Sequence, residues 1–307
     1  MLHVRNLSIH FTRYALGLRK QEVRAIRCLD LDLAAGEVVA VVGQSGAGKS
    51  LLAHALLGIL PSNARIEGEM IFRDEPLTPE RMARLRGREI ALVPQAVTYL
   101  NPLLRVGAQI ARAARLSGLT RARAVEAARE ALARYHLARE VGAWFPFQLS
   151  GGMVRRVLTA TATVGLADLV LADEPTNGLD RETAAESLKH LRELADAGKA
   201  VLLITHDVGA ALEVADRVAV FCGGVTVEVA WAGDFKRTGL LRHPYTRALW
   251  AALPANGFSL PGPSAHVIRL EGGCPYVSGC LSHGPACDAG LPDLLPADRG
   301  LVRCRHA

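Results

Sequence analysis

Short runs dominated by Val, Ile, Leu and Ala punctuate the chain at residues 38–42, 90–93, 169–172 and 200–205. Strands without a polar face are those covered on both sides, and longer Ala/Leu/Arg segments with helical spacing lie between these runs. The pattern predicts a largely parallel sheet with helices on both faces. Residues 1–13 alternate apolar and polar positions instead, and up to about residue 27 the chain reads as antiparallel strands joined by a polar turn at 17–21. Between 80 and 144 helical patterns dominate, including 121–135, which predicts a helical insertion in the α/β core. Beyond residue 239 the texture changes to His243-Pro244-Tyr245, Leu253-Pro254 and Pro261-Gly262-Pro263, with four grouped cysteines. Pro and Gly at that density mark a linker and then a compact irregular tail.

Composition adds little to this picture. The 307 residues are half apolar, 21% charged and 5% aromatic, which suits a folded protein with one large domain and an appendage, or two modest domains. The formal charge of +6 comes from arginines scattered through segments such as 120–139, the usual composition of solvated helix faces, so no nucleic-acid partner is expected. Residues 1–13 lack the apolar core and cleavage site of a signal peptide, and export is not expected. No stretch reaches the roughly 18 consecutive apolar residues that span a bilayer. If the protein works at a membrane, another chain crosses it.

Chemistry enters at Gly43-Gln44-Ser45-Gly46-Ala47-Gly48-Lys49-Ser50, which fits G-x-x-x-x-G-K-[ST] between the strand 38–42 and a helical segment opening at Leu51. Glycines let backbone N–H groups turn inward around phosphate oxygens, and the helix start adds partial positive charge. Lys49 reaches the terminal phosphates and the Ser50 hydroxyl ligates Mg²⁺. A second apolar strand ends in Asp173-Glu174: the first carboxylate suits Mg²⁺, the second suits orienting and partly deprotonating an attacking water. A third ends at Thr205-His206-Asp207, and polar residues at the carboxyl ends of parallel strands converge on one crevice.

Gln148-Leu149-Ser150-Gly151-Gly152-Met153, between the two nucleotide motifs, resembles the signature of the ABC ATPases. The resemblance implies that Ser150, Gly151 and Gly152 serve the ATP of an opposing subunit. It makes Gln95 the glutamine-loop residue at Mg²⁺ and water, Asp180 a residue communicating across the dimer, and His206 a γ-phosphate contact. Leu7 and Phe11 resemble the spacing of the adenine-stacking loop, with Tyr14 a competitor for Phe11. The motifs run in family order over roughly residues 1–235. Met153 replaces the commonest signature glutamine, Arg155 stands where the nearest branch carries glutamine, and Asn177-Gly178 replaces small residues; Lys49, Asp173, Glu174 and His206 are intact.

The segment His243-Pro244-Tyr245-Thr246-Arg247-Ala248-Leu249 with Leu253-Pro254 resembles the carboxyl-terminal extension of the oligopeptide, dipeptide and nickel importer ATPases. That branch often carries a cysteine-bearing tail, matched here by Cys274, Cys280, Cys287 and Cys304. In a cytoplasmic protein these point to a metal rather than disulfides, and their wide gaps favour an iron-sulfur cluster over zinc, with four free thiols the remaining alternative. Cys28 and Cys222 read as core. The expected organisation is a P-loop ABC ATPase domain over 1–238, its helical subdomain at about 96–160, and an extension over 239–307. The expected function is ATP binding and hydrolysis that drives import of peptides, nickel or a related solute at the cytoplasmic face of the membrane. Two permease subunits, a second ATPase subunit and, indirectly, an extracytoplasmic binding protein are the implied partners. The rival is an ABC-type accessory subunit of a soluble complex such as the phosphonate-breakdown machinery.

Overall fold

The computed structural model describes residues 1–14, 20–44, 46–257 and 272–307, so the polar turn expected at 17–21 lies largely outside the described residues. In chain order the strands and helices begin with β1 (Leu2–Tyr14), β2 (Lys20–Leu33), β3 (Val38–Gly43), α1 (Lys49–Leu56), β4 (Ala64–Phe72), β5 (Glu75–Pro76), α2 (Pro79–Leu85) and β6 (Ile90–Val93). Then come α3 (Val106–Leu116), α4 (Arg121–Arg134), α5 (Gly151–Thr163), β7 (Leu169–Asp173), α6 (Arg181–Asp196), β8 (Ala200–Ile204) and α7 (Val208–Val214). Last are β9 (Arg217–Cys222), β10 (Val225–Trp231), α8 (Pro244–Ala251), β11 (Leu295–Ala297) and β12 (Gly300–Val302). They form two compact units, one of residues 1–34, 39–77 and 205–307, the other of 35–38 and 78–204.

In the first unit β1 lies between β2 and β4, antiparallel to both. Its alternation slips by one residue at Arg5-Asn6, where Asn6 takes φ +47° and the register shifts. The slip turns Leu2, Val4, Leu7 and Ile9 all into the core, which a regular pleat would not do. β3 runs parallel to β9, pairing Val42 with Val220, and β9 turns back into the antiparallel β10.

The tail is less irregular than its proline content suggests. His243 caps α8 by accepting the Tyr245 N–H at Nδ1 (3.0 Å), and Pro244 occupies the first turn, where its missing N–H is harmless. β11 and β12 form a hairpin that pairs with β10.

In the second unit β6, β7 and β8 are parallel, with Val93 opposite Ala172 and Asp173 opposite Ile204. Every residue of β7 and β8 is buried, as their uninterrupted apolar sequence requires. A separate apolar cluster joins the helices through Val106, Ile110, Leu132 and Val157. Thr120 caps α4 and Asp180 caps α6, each accepting the N–H three residues on. Among the described residues no helix is long and apolar enough to cross a membrane.

Candidate functional site

In the first unit, β3 delivers the chain from a fully buried strand into the glycine loop and then into α1. A Cβ at Gly43 would stand 2.2 Å from the Phe221 carbonyl oxygen, and one at Gly48, at φ +88°, would stand 2.9 Å from Ile26. Only glycine permits this path, which leaves the backbone itself to line the cradle. Lys49 is buried, and its ammonium donates to the carbonyls of Gly43 (2.8 Å) and Gln44 (3.0 Å). Its charge is thereby held at the loop instead of extended into solvent. Gln44 and Gly46 are exposed, Ala47 is buried, and Ser50 and Leu51 lie half-buried on the first turn of α1; Ser45 lies outside the described residues. The Gln44 N–H donates to the hydroxyl of Tyr245 in α8 (3.3 Å), so the extension touches the loop directly. Sequence reading found the Tyr245 motif but gave it no task.

Thr205 donates its N–H to the Val41 carbonyl (3.1 Å), and its hydroxyl accepts from Asp207 N–H (3.1 Å). Asp207 in turn caps α7 through Ala210 N–H. The exposed His206 is thus clamped on both sides, in register with the strand that leads to the loop. Phe11 is half-buried on β1, facing Val23 and Ala64 in the two ladders, and Tyr14 stands exposed at the strand's end.

In the second unit, Asp173 closes β7 and is buried, and Glu174 follows with only 7% of its surface exposed. Glu174 takes φ +48°, a strained conformation for a non-glycine residue, and is pinned there by its N–H bond to the Ile204 carbonyl (2.8 Å). The exposed Asp180 carboxylate is held below its ordinary pKa by the Thr183 N–H and hydroxyl that it accepts. Ser150 caps α5 by accepting the Met153 N–H (3.3 Å). Among the described residues a Cβ on Gly151 would meet nothing within 4 Å, so no described neighbour demands that glycine. Arg155, a departure in the sequence, bonds the Gln95 carbonyl (3.2 Å) and lies beside Gly178, where an added Cβ would be 3.7 Å from its Nε. The two departures therefore meet: Gly178, at φ +73°, lies beside the guanidinium that holds the Gln95 segment.

In the tail, Cys274, Cys280, Cys287 and Cys304 line one small cavity of about 20 Å³ together with His243 and His306. The Cys274 Sγ lies 3.8 Å from His243 Nε2, and Cys287 Sγ lies 3.4 Å from His306 Nε2. Burial pushes the Cys274 thiol up to about 11 and raises Cys280, while burial and Arg247 lower His243 to about 3. Four sulfurs beside two imidazoles suit a thiophilic metal centre. Cys222 is fully buried, as a core residue should be; Cys28 is only half-buried, with its Sγ 3.7 Å from Asp30.

A buried strand that opens through a glycine cradle into a helix, within an α/β fold, defines a P-loop nucleotide-hydrolysing protein. Comparison with known proteins narrows the class. A family profile described as ABC transporter matches residues 26–177. The oligopeptide transport ATP-binding protein OppD of Salmonella typhimurium is 34% identical over 300 residues, covering 93% of this chain and 89% of that protein. The dipeptide transport ATP-binding protein DppD of Bacillus subtilis is 33% identical over 323 residues, covering 99% and 94%. A dimeric bacterial ABC transporter cassette superposes with TM-score 0.67 at 25% identity, covering 76% of this chain and 99% of that one; a post-hydrolysis cassette bound to ADP and Pi matches equally. The chain belongs to the ABC transporter ATP-binding family, and it is an ATPase.

Proposed function

We propose that the chain is the ATP-binding and hydrolysing subunit that powers import of peptides or a related small solute through two membrane permease subunits, from the cytoplasmic face of the membrane. Peptides come first because the relatives above are named for oligopeptide and dipeptide transport. The observation that carries the reading is a pair of anion-binding helix starts in one chain. One is the glycine cradle at α1; the other is the Ser150-capped start of α5, whose Gly151 no neighbour among the described residues requires. A second start of that kind is explained by a phosphate belonging to another ATPase subunit, identical or related.

In this reading the N–H groups of Gly43 to Ser50 and the Lys49 ammonium hold the terminal phosphates, and Phe11 stacks on adenine. Ser50, Asp173 and Gln95 would hold magnesium, which would supply charge neutralisation at those phosphates. Glu174 orients the attacking water and accepts its proton, His206 reads the γ-phosphate, and Asp180 reports to the opposing subunit. Ser150, Gly151 and Gly152 close over the companion's nucleotide. Loss of the γ-phosphate removes the contact that joins the halves, which then reopen.

A groove of about 330 Å³ beside Pro94, with exposed Tyr99, Leu104 and Leu116, offers the permeases an apolar seat. In proteoliposomes containing the permeases and a peptide-loaded extracytoplasmic binding protein, Leu104→Asp is expected to lower peptide-stimulated ATP hydrolysis at least about tenfold. ATP binding by the isolated subunit should not change. Equal stimulation in both proteins would remove the groove from the coupling scheme, and no peptide stimulation of the unaltered subunit would sink the import reading.

The four tail cysteines hold a metal centre, an iron-sulfur cluster in preference to zinc. Anaerobically purified protein is expected to contain iron and acid-labile sulfide, with visible absorption that dithionite bleaches and Cys280→Ser diminishes. Zinc alone, or no metal, would rule the cluster out.

A further inference from the structure

We infer that the chain carries a second metal site, for a zinc-type divalent ion, built from His136, Glu186 and His190. One ligand atom from each of these side chains lies within 4.8 Å of the other two, a spacing that three ligands of a tetrahedral ion can adopt with small side-chain rotations. Glu186 and His190 are one helical turn apart on α6, and so project from the same face. His136 comes from the turn that ends α4, where φ +50° directs the chain out of the helix. Its Nε2 already meets Glu186 Oε1 at 2.6 Å.

An ion pair accounts for that contact, but it does not account for His190. The ring is 13% exposed, wedged edge-on against Tyr135 at 4.9 Å between centroids, and its Nδ1 is held by Glu193 Oε2 at 3.1 Å. Its Nε2 is buried and, among the described residues, has no hydrogen-bond partner. A nitrogen left in that state is unfavourable unless something else satisfies it. A carboxylate on the far nitrogen of a histidine fixes the tautomer that presents the other nitrogen's lone pair, the arrangement found behind metal-bound imidazoles. Two imidazoles and one carboxylate suit zinc or a similar transition ion rather than magnesium or calcium. With His136 63% exposed, the fourth position opens to water.

The bound ion would staple the end of α4 to α6. Arg156 of α5 already donates to the carbonyls of Tyr135 and His136 (3.4 and 3.3 Å), so the staple would also reach the helix that starts at Ser150. The ion would therefore bear on the segments that begin at Ser150 and Asp180 without entering the nucleotide site.

The test uses untagged full-length protein titrated with Co²⁺, whose spectrum separates ligand types: thiolate charge-transfer bands report the tail cysteines, and weak ligand-field bands without them report nitrogen and oxygen ligands. The unaltered chain is expected to bind one equivalent of the second kind, displaced by Zn²⁺ and not by Mg²⁺. His136→Ala and Glu186→Gln, both at solvent-accessible positions, should lose that equivalent and leave the absorption of the tail cysteines' own centre unchanged. Glu193→Gln should weaken it about 10- to 100-fold. Absence of the nitrogen/oxygen equivalent in the unaltered protein, or its persistence in His136→Ala and Glu186→Gln at unchanged affinity, would overturn the site.

Discussion

Exchanging Glu174 for glutamine is expected to slow steady-state ATP hydrolysis by about 10²- to 10⁴-fold, the span attributed to a positioned general base, and to leave ATP affinity nearly unchanged. Glutamine is the informative substitution because it fills the same volume and keeps one carbonyl oxygen for orienting water. What it lacks is the capacity to take a proton. The backbone at this position is held in its left-handed conformation by the N–H bond to Ile204, which glutamine retains. Shorter or β-branched replacements would confound chemistry with strain. Phosphate release measured beside fluorescent-nucleotide titration separates the two effects. Hydrolysis at the unaltered rate would take the catalytic role away from Glu174, and a parallel loss of ATP affinity would point to a disturbed fold.

The second large effect is expected far from the chemistry. Arg303, only 5% exposed, donates through Nη2 to Asp30 (2.6 Å), through Nη1 to the Pro292 carbonyl (2.7 Å) and through Nε to the Thr226 carbonyl (3.0 Å). It is a buried polar anchor between the tail and strands β2 and β10. Removing one partner of a buried pair strands the other, so Arg303→Ala should destabilise the protein by about 3–5 kcal/mol in denaturant unfolding. Replacing both members, as in Arg303→Met with Asp30→Leu, should recover much of that loss, because no charge is then left buried alone. A change below about 1 kcal/mol in the single variant would show that Arg303 does not hold the tail in place.

Local physics made the central elements readable in the sequence. A glycine cradle and its lysine are contiguous, and β8 and all of β7 before Asp173 are apolar because both their faces are covered, so run and motif announce one another. Arrangements spread along the chain were hidden. β4 escaped notice because most of its side chains are exposed, leaving a weak periodic signal in ARIEGEMIF. α8 was masked by surrounding prolines, although His243-Pro244 is itself a helix-start pattern. Arg155 read only as a departure until its neighbours Gln95 and Gly178, respectively 60 and 23 positions away, were placed beside it. The His136, Glu186 and His190 set joins residues about 50 positions apart, and no spacing rule connects them. The left-handed backbone at Glu174 left no trace in composition.

The hairpin of β11 and β12 has a consequence for how far the chain can be trimmed. β12 occupies hydrogen-bonding positions along β10 at Glu228 and Val229, and the Val229 carbonyl lies so close that a Cβ at Gly300 would stand 2.2 Å from it. A shortened protein that stops after the nucleotide motifs would bare this ladder to solvent. Open strand margins can recruit other chains, so a protein trimmed in this way is expected to self-associate more readily than the full chain.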